Sequence, residues 1–160
     1  MLIEFKGKIV SGCGKHSYLV IPGKGQLLIA PDDWPTFLFP GSLNVEISRE
    51  ELPKDLEKLG PGSFIKKLDN GILKPTFVIE QKAILNNTIG PNGPVKGRGD
   101  AQVWRAKIKV VKTMEIYDCW VLRRLDSAMT IHLELVSDKN LRNILKLNNA
   151  DEVFVSIEDV

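Results

Sequence analysis

The stretch "GKIVSGCGKHSYLVIPG", residues 7–23, decides between two classes of fold. Its glycines, lysine and serine are the residue types of a phosphate-binding loop, but both common loops of that kind lead from a strand into a helix. A Walker-type loop ends in Gly-Lys-Ser/Thr, whereas here Gly14-Lys15 is followed by His16, and Ser17 stands where the dinucleotide-binding pattern needs its third glycine. The next segment, "SYLVIP", is rich in aromatic and branched residues, which favour a strand. The stretch therefore predicts two strands joined by a glycine turn.

From its own residues this glycine turn has two interpretations. It is either a plain hairpin turn with Lys15 and His16 in solvent, or a concavity of backbone N–H groups that binds phosphate beside a lysine. The local sequence favours the plain turn, because a single glycine-rich loop is a weak signal.

Strand patterns recur along the rest of the chain. They occur in "LIEFKGKIV", "QLLIA", "LNVEIS", "GILKPTFVIEQKAIL", "AQVWRAKIKVV", "EIYDCWVL" with its continuation "TIHLELV", and "DEVFVSIEDV". Leucines at helical spacing predict a short helix over Arg49–Leu59, which a Gly-Pro-Gly sequence ends. Residues Asn86–Asp100 are dense in Gly, Pro and Asn, have no periodicity, and predict a flexible loop.

A second short helix is expected in "SDKNLRNILKL", residues 137–147. Ser137 or Asp138 would cap it, and Leu141, Ile144 and Leu145 would form its apolar stripe. Many short strands with one or two small helices predict a mostly-β closed barrel rather than a doubly wound sheet.

Composition restricts the class of protein further. A chain of 160 residues suits one domain, and 43% hydrophobic with 26% charged residues is typical of a globular protein. A net charge of +2 calls for neither a nucleic-acid nor a membrane partner. Two cysteines and two histidines without metal-site spacing argue against a disulfide framework and a zinc site. With no signal-like segment, we expect a cytoplasmic protein. We also expect it to be a monomer.

Three blocks of the sequence occur in the same order in one protein family. They are "G-x-I-V-S-G-x-G" at residues 7–14, "FPGSLNVEI" at 39–47 and "LRNILKLNNADEVFVSI" at 141–157. The chain resembles the archaeal CTP-dependent riboflavin kinases, and the Gly-Ser-Leu-Asn block is the most specific part of the resemblance. It implies a single domain over residues 1–160, folded as a six-stranded cradle-loop barrel.

The resemblance also assigns site residues. The nucleotide-binding residues would be Gly12, Cys13, Gly14, Lys15, His16, Ser17 and Tyr18 in the glycine turn, and Lys139, Asn140, Leu141 and Arg142 in the second helix. Magnesium ligands would fall on Ser42 and Asn44, whose side-chain oxygen atoms are of the kind that Mg²⁺ binds. Flavin contacts would fall on Asp126 and Glu134. The resemblance identifies no general base, and Glu134 is a candidate only because it would lie near the acceptor.

The chain departs from the family pattern mainly on the flavin side. Asp126 replaces a threonine, and "RRLDSAM" lacks the proline and aromatic residues that are common there. The family's Ala-Pro before the helix is replaced by Ser137-Asp138. Elsewhere His16 replaces a glycine and Ser42 replaces a threonine, which keeps the hydroxyl oxygen.

The resemblance implies a kinase that transfers a phosphoryl group from CTP to the ribityl 5′-hydroxyl of riboflavin, giving FMN and CDP with Mg²⁺ as cofactor. The divergent flavin side leaves a second hypothesis, a non-catalytic nucleotide- or flavin-binding barrel. A third, an interaction or DNA-binding module, is disfavoured by the near-neutral charge.

Overall fold

The computed structural model describes residues 2–11, 19–47, 64–83, 85–86, 89–90, 93–94, 100–125 and 132–158. Three sequence predictions lie outside these residues: the glycine turn Gly12–Tyr18, the helix Arg49–Leu59 and the flavin contact Asp126. Most of the predicted loop Asn86–Asp100 lies outside them as well.

The described part of the chain is mostly β, as the strand patterns predict. Its strands are β1 Leu2–Val10, β2 Leu19–Val20, β3 Leu43–Ile47, β4 Phe77–Ile79, β5 Leu85–Asn86, β6 Ile89–Gly90, β7 Gly93–Pro94, β8 Ala101–Val110, β9 Ile116–Arg124, β10 His132–Val136 and β11 Glu152–Glu158. The same described residues contain the α-helices α1 Phe64–Asp69 and α2 Leu141–Ile144, with 3-10 turns at Lys24–Gln26 and Gln81–Ala83.

Seven strands form one antiparallel sheet in the order β11-β1-β3-β10-β9-β8-β4, and this sheet closes in a ring because β11 also pairs with β8. The long strand β8 makes the closure possible by using one edge for two partners. Its first residues pair with β4, through Val103 and Phe77, and its second half pairs with β11, through Ile108 and Val155. The shorter strands pair separately, β2 with β5 and β6 with β7.

The interior of the ring is filled by every second residue of its strands, as the two-residue period of a strand requires. On β11 these residues are Val153, Val155 and Ile157, all 0% exposed, which confirms the strand predicted there. Leu141 and Leu145, in and after α2, join the same apolar cluster. Helix α1 contributes Ile65 and Leu68, and Leu73 follows it in the same cluster. The connection after α1 is held by the indole N–H of Trp104, which donates to the Leu73 carbonyl at 3.1 Å.

A second apolar cluster lies on the outer face of β8, β9 and β10. It is built around Trp34 and Trp120, whose rings meet edge to face at 5.0 Å, with Phe77 beside them. Trp34 is 2% exposed, and its indole N–H donates to the Pro22 carbonyl at 3.0 Å. The segment between β2 and β3 is thereby fixed over the outside of the sheet.

Some local predictions were wrong. "QLLIA" is not a strand: a 3-10 turn covers its first residue, and Leu28 and Ile29 project into solvent with exposures of 105% and 82%. Glycines before this segment and prolines on both sides of it favour a turn, and no described strand pairs with it. β9 does not continue into β10, because β10 returns antiparallel to it, with Glu134 opposite Leu122.

The two short helices differ in part from those expected. α2 is capped by Asn140, whose side chain accepts from the Asn143 N–H, and not by Ser137 or Asp138. Ser137 instead accepts from the Lys139 N–H. Ile144, the third member of the predicted stripe, is 41% exposed, because a helix of a single turn buries only one narrow side.

Candidate functional site

A cavity of about 150 Å³ joins two segments that are far apart in the sequence. One is the "FPGS" connection before β3, and the other is the segment that leads into α2. The polar side chains that line the cavity belong to Ser42, Ser137, Lys139, Asn140 and Arg142. Five of the residues to which the resemblance assigns a role, Ser42 and Lys139–Arg142, therefore line one space.

The cavity has its position because β3 and β10 are neighbours in the ring. Leu43 is the Cα partner of Leu135, so the residues just before β3 lie next to those just after β10. The Phe39 N–H donates to the Ser137 carbonyl at 2.8 Å and fixes this approach. Gly41 has a φ of +89°, a left-handed conformation that favours glycine, and it turns the chain into β3.

Two cationic side chains give the cavity a positive wall. Lys139 lies just before α2, and Arg142 lies in its single turn. The Arg142 guanidinium donates to the Val10 carbonyl at 3.3 Å and to Asn149 Oδ1 at 3.1 Å, so its side chain is held in a defined place. A guanidinium fixed in this way is suited to bind an anionic oxygen.

The start of the glycine turn lies beside this wall. Val10 and Ser11 are the last described residues before the turn, and Arg142 binds the first of them. The Asn149 side-chain amide donates to Ser11 Oγ at 2.8 Å, so Asn149 bridges Arg142 and Ser11. Sequence reasoning missed Asn149, because nothing in its local pattern distinguishes it from any other residue of a polar turn.

Asn44 and Glu134 form a second pair next to the cavity. They are Cα partners across β3 and β10, and Asn44 is also the partner of Val10 on β1. Because Leu43 and Val45 point into the ring, Asn44 points to its outer face, where it is nevertheless buried, with 7% of its surface exposed. Asn44 and Glu134 do not line the cavity, unlike Ser42. The structure thus places Glu134 beside Asn44. Ser42 precedes Asn44 by two residues in the sequence.

The residues assigned to magnesium suit that ion in chemical type. Ser42, Asn44 and the neighbouring Glu134 offer a hydroxyl, an amide oxygen and a carboxylate, all of them the oxygen ligands that Mg²⁺ takes. In the described part of the chain, no group of three or more His, Cys, Asp or Glu side chains is placed to hold a metal ion. A magnesium site here would therefore use few protein ligands, with phosphate and water completing the shell.

Two larger depressions, of about 520 and 600 Å³, lie on the outer face of β8 and β9. Both are lined by Asp33, Lys107, Asp118 and Trp120. The hydrogen bond from the Arg105 side chain holds the pKa of Asp33 below its ordinary value. The ion pairs Asp33–Arg105 and Lys107–Asp118 neutralise much of the charge on this surface. None of these residues was predicted as a site, since they come together only in the folded sheet.

The cysteine of the described chain is not placed for chemistry. Cys119 is 3% exposed and belongs to the interior cluster, and burial raises the pKa of its thiol far above the ordinary range. A thiol that stays protonated in an apolar interior is a packing residue.

No family model matches the chain, and no protein with curated annotation matches it significantly. Within the described ranges, no helix is long and apolar enough to cross a membrane.

Proposed function

We propose that this protein is a CTP-dependent riboflavin kinase with a cradle-loop barrel fold. The observation that supports the proposal most is the cavity shared by Ser42 and Lys139–Arg142. These segments lie on opposite sides of the chain's midpoint, and the resemblance assigns one to the metal and the other to the nucleotide. If the resemblance of these separate blocks were accidental, nothing would require the blocks to line the same cavity.

The reaction transfers the terminal phosphoryl group of CTP to the 5′-hydroxyl of riboflavin. The hydroxyl oxygen forms a bond to the γ-phosphorus, the bond from that phosphorus to the bridging oxygen breaks, and CDP leaves with the electron pair. Such a transfer depends mainly on positioning and on neutralising charge at the phosphate oxygens. Lys139 and Arg142 supply positive charge at the cavity wall, and Arg142 is already oriented by Val10 and Asn149.

The proton of the riboflavin hydroxyl must also be removed. Glu134 is the candidate acceptor, because its carboxylate lies on the strand opposite Asn44. Ser42 and Asn44 would hold Mg²⁺, and this ion would supply further neutralisation of phosphate charge. The second function, a non-catalytic barrel that binds nucleotide or flavin, uses the same cavity without turnover.

The experiment that tests the proposal measures FMN formation from riboflavin with each of the four ribonucleoside triphosphates and Mg²⁺. We expect turnover with CTP. Asn44→Leu keeps a similar volume and removes an oxygen atom, so it should lower kcat about tenfold or more, while nucleotide affinity changes little. Glu46→Gln, two residues along on the same face of β3 and exposed, is the matched control and should leave kcat unchanged.

The outcomes separate the two functions. A wild-type protein that forms no FMN with any triphosphate, yet binds CTP, would be a binding protein and not a kinase. Equal kcat values for the wild type and Asn44→Leu would exclude the role given to Asn44. Thermal unfolding of each variant shows whether a loss of activity reflects a loss of fold.

A further inference from the structure

Phe39 is an aromatic side chain at the edge of the cavity, with 43% of its surface exposed. The apolar neighbours Leu43, Leu135 and Leu141 also line the cavity, but they belong to the interior cluster and are at most 6% exposed. Among the described residues that line this space, Phe39 is the one aromatic ring. Exposing a large apolar ring has a cost in water, so its position in the lining of this cavity calls for an explanation.

The backbone of Phe39 is fixed before any ligand binds. Its N–H donates to the Ser137 carbonyl at 2.8 Å, the following Pro40 restricts the chain, and Leu38 before it packs against the outer apolar cluster. A ring on such a backbone loses little conformational freedom when a ligand covers it, which favours binding.

The cavity is too small for a whole nucleotide. Its volume of about 150 Å³ is below the roughly 300–1,000 Å³ of sites that enclose a complete small ligand. Lys139 and Arg142 attract the phosphate end, so the opposite end of the molecule must lie towards the rim. Phe39 is the large apolar lining residue whose side chain stays exposed, so it is available to the part of the ligand that extends beyond the cavity.

We propose that Phe39 is the residue on which the nucleobase stacks. This inference rests on the proposed function, because it requires that a nucleotide binds in the cavity. Every base has a flat π surface, so stacking holds the base without choosing among bases. Any preference for cytosine must then come from hydrogen bonds made by other groups, and Phe39 contributes affinity for the base in general.

The test compares a ligand that has a base with one that has none. CTP and inorganic tripolyphosphate are titrated into the wild type and Phe39→Leu by calorimetry. Loss of the ring should weaken CTP binding roughly 5- to 150-fold, the range of one base–aromatic stack, and leave tripolyphosphate binding unchanged. Phe37→Leu is the matched control: Phe37 is 81% exposed, lies two residues away and does not line the cavity, so neither affinity should change.

A second variant detects stacking directly. In Phe39→Trp the new indole should be quenched by CTP and not by tripolyphosphate, measured as the difference from wild-type fluorescence. The three native tryptophans do not line the cavity. This variant replaces one ring with another and keeps CTP affinity, so it remains informative if Phe39→Leu unfolds.

The alternative outcomes contradict either the inference alone or the proposed function with it. Equal CTP affinity for the wild type and Phe39→Leu overturns the inference, and so does an equal loss for CTP and tripolyphosphate, because the ring would then only shape the cavity. If the wild-type protein binds neither ligand, the proposed function itself fails and the inference fails with it. Binding of tripolyphosphate alone by the wild type leaves an anion site and excludes the stacked base.

Discussion

Two arginine–aspartate pairs anchor opposite faces of the sheet, and they share the same chemistry. On the inner side, Arg123 of β9 makes two hydrogen bonds, of 2.9 and 3.0 Å, to Asp69 at the end of α1. On the outer side, Arg105 of β8 makes two, both of 2.6 Å, to Asp33. The inner side chains are 5% and 26% exposed, whereas the outer ones are 33% and 53% exposed.

The shorter pair is not expected to be the more important one. Water screens the charges of Asp33 and Arg105, and an exposed pair typically contributes about 1 kcal/mol or less. Arg123 has little access to water, so removing Asp69 takes two hydrogen-bond acceptors away from a charge that water solvates poorly. Exposure, more than distance, is therefore expected to determine how much each ion pair contributes to stability.

The largest effect is therefore expected at the inner pair. Asp69→Ala should lower the free energy of unfolding by about 3–5 kcal/mol, measured by urea denaturation. The double variant Asp69→Ala with Arg123→Met removes both charges and should recover part of the loss. A loss below about 1 kcal/mol in the single variant would remove the distinction between the two pairs.

An intermediate effect is expected in the outer apolar cluster. Trp34→Phe keeps a ring beside Trp120 but removes the indole N–H that donates to the Pro22 carbonyl. An acceptor left without its donor in a buried place costs about 1–3 kcal/mol. Unfolding followed by both fluorescence and circular dichroism gives the value. If the unfolding transitions measured by fluorescence and by circular dichroism differ in this variant, the outer cluster unfolds before the ring.

The smallest effect is expected at the outer pair, and it should depend on pH. Asp33→Asn should cost about 1 kcal/mol or less at neutral pH. The Arg105 side chain lowers the pKa of Asp33 below 3.8, so the ionised carboxylate is favoured by folding. Its contribution is present above that ordinary value and is lost as the pH falls through the lowered pKa in the folded protein. Melting temperatures of wild type and variant should converge in acid; a constant difference would contradict the prediction.

Much of the fold follows from local sequence. The alternation in "DEVFVSIEDV" predicts β11 and its buried face, and that of "AQVWRAKIKVV" predicts β8. The closure of the ring is not predictable in this way, because β11 pairs with β1 and β8, which are distant in sequence. α1 was missed for a different reason. Its apolar residues Ile65 and Leu68 fill barely two turns, which is too short for a clear helical period.

The candidate site was likewise predictable only in part. Ser42 and Arg142 were assigned from a resemblance, and the structure brings them to one cavity. Asn149 and Phe39 gain their significance from contacts with distant partners, Ser11 in one case and Ser137 in the other. A single sequence contains no local signal for such contacts, since each depends on how the strands are arranged.

The position of β11 between β1 and β8 has a consequence for how the chain is made. β1 is synthesised before the other strands of the ring, but it pairs along most of its length with β11, which is synthesised after all of them. Until β11 has been synthesised, β1 and β8 each lack a pairing strand, and their apolar side chains are not stably buried. Pairings of such long sequence separation fold slowly and expose aggregation-prone surface in the meantime. We expect this protein to rely on the folding machinery of its host late in translation, and its yield to fall sharply when synthesis stops before β11.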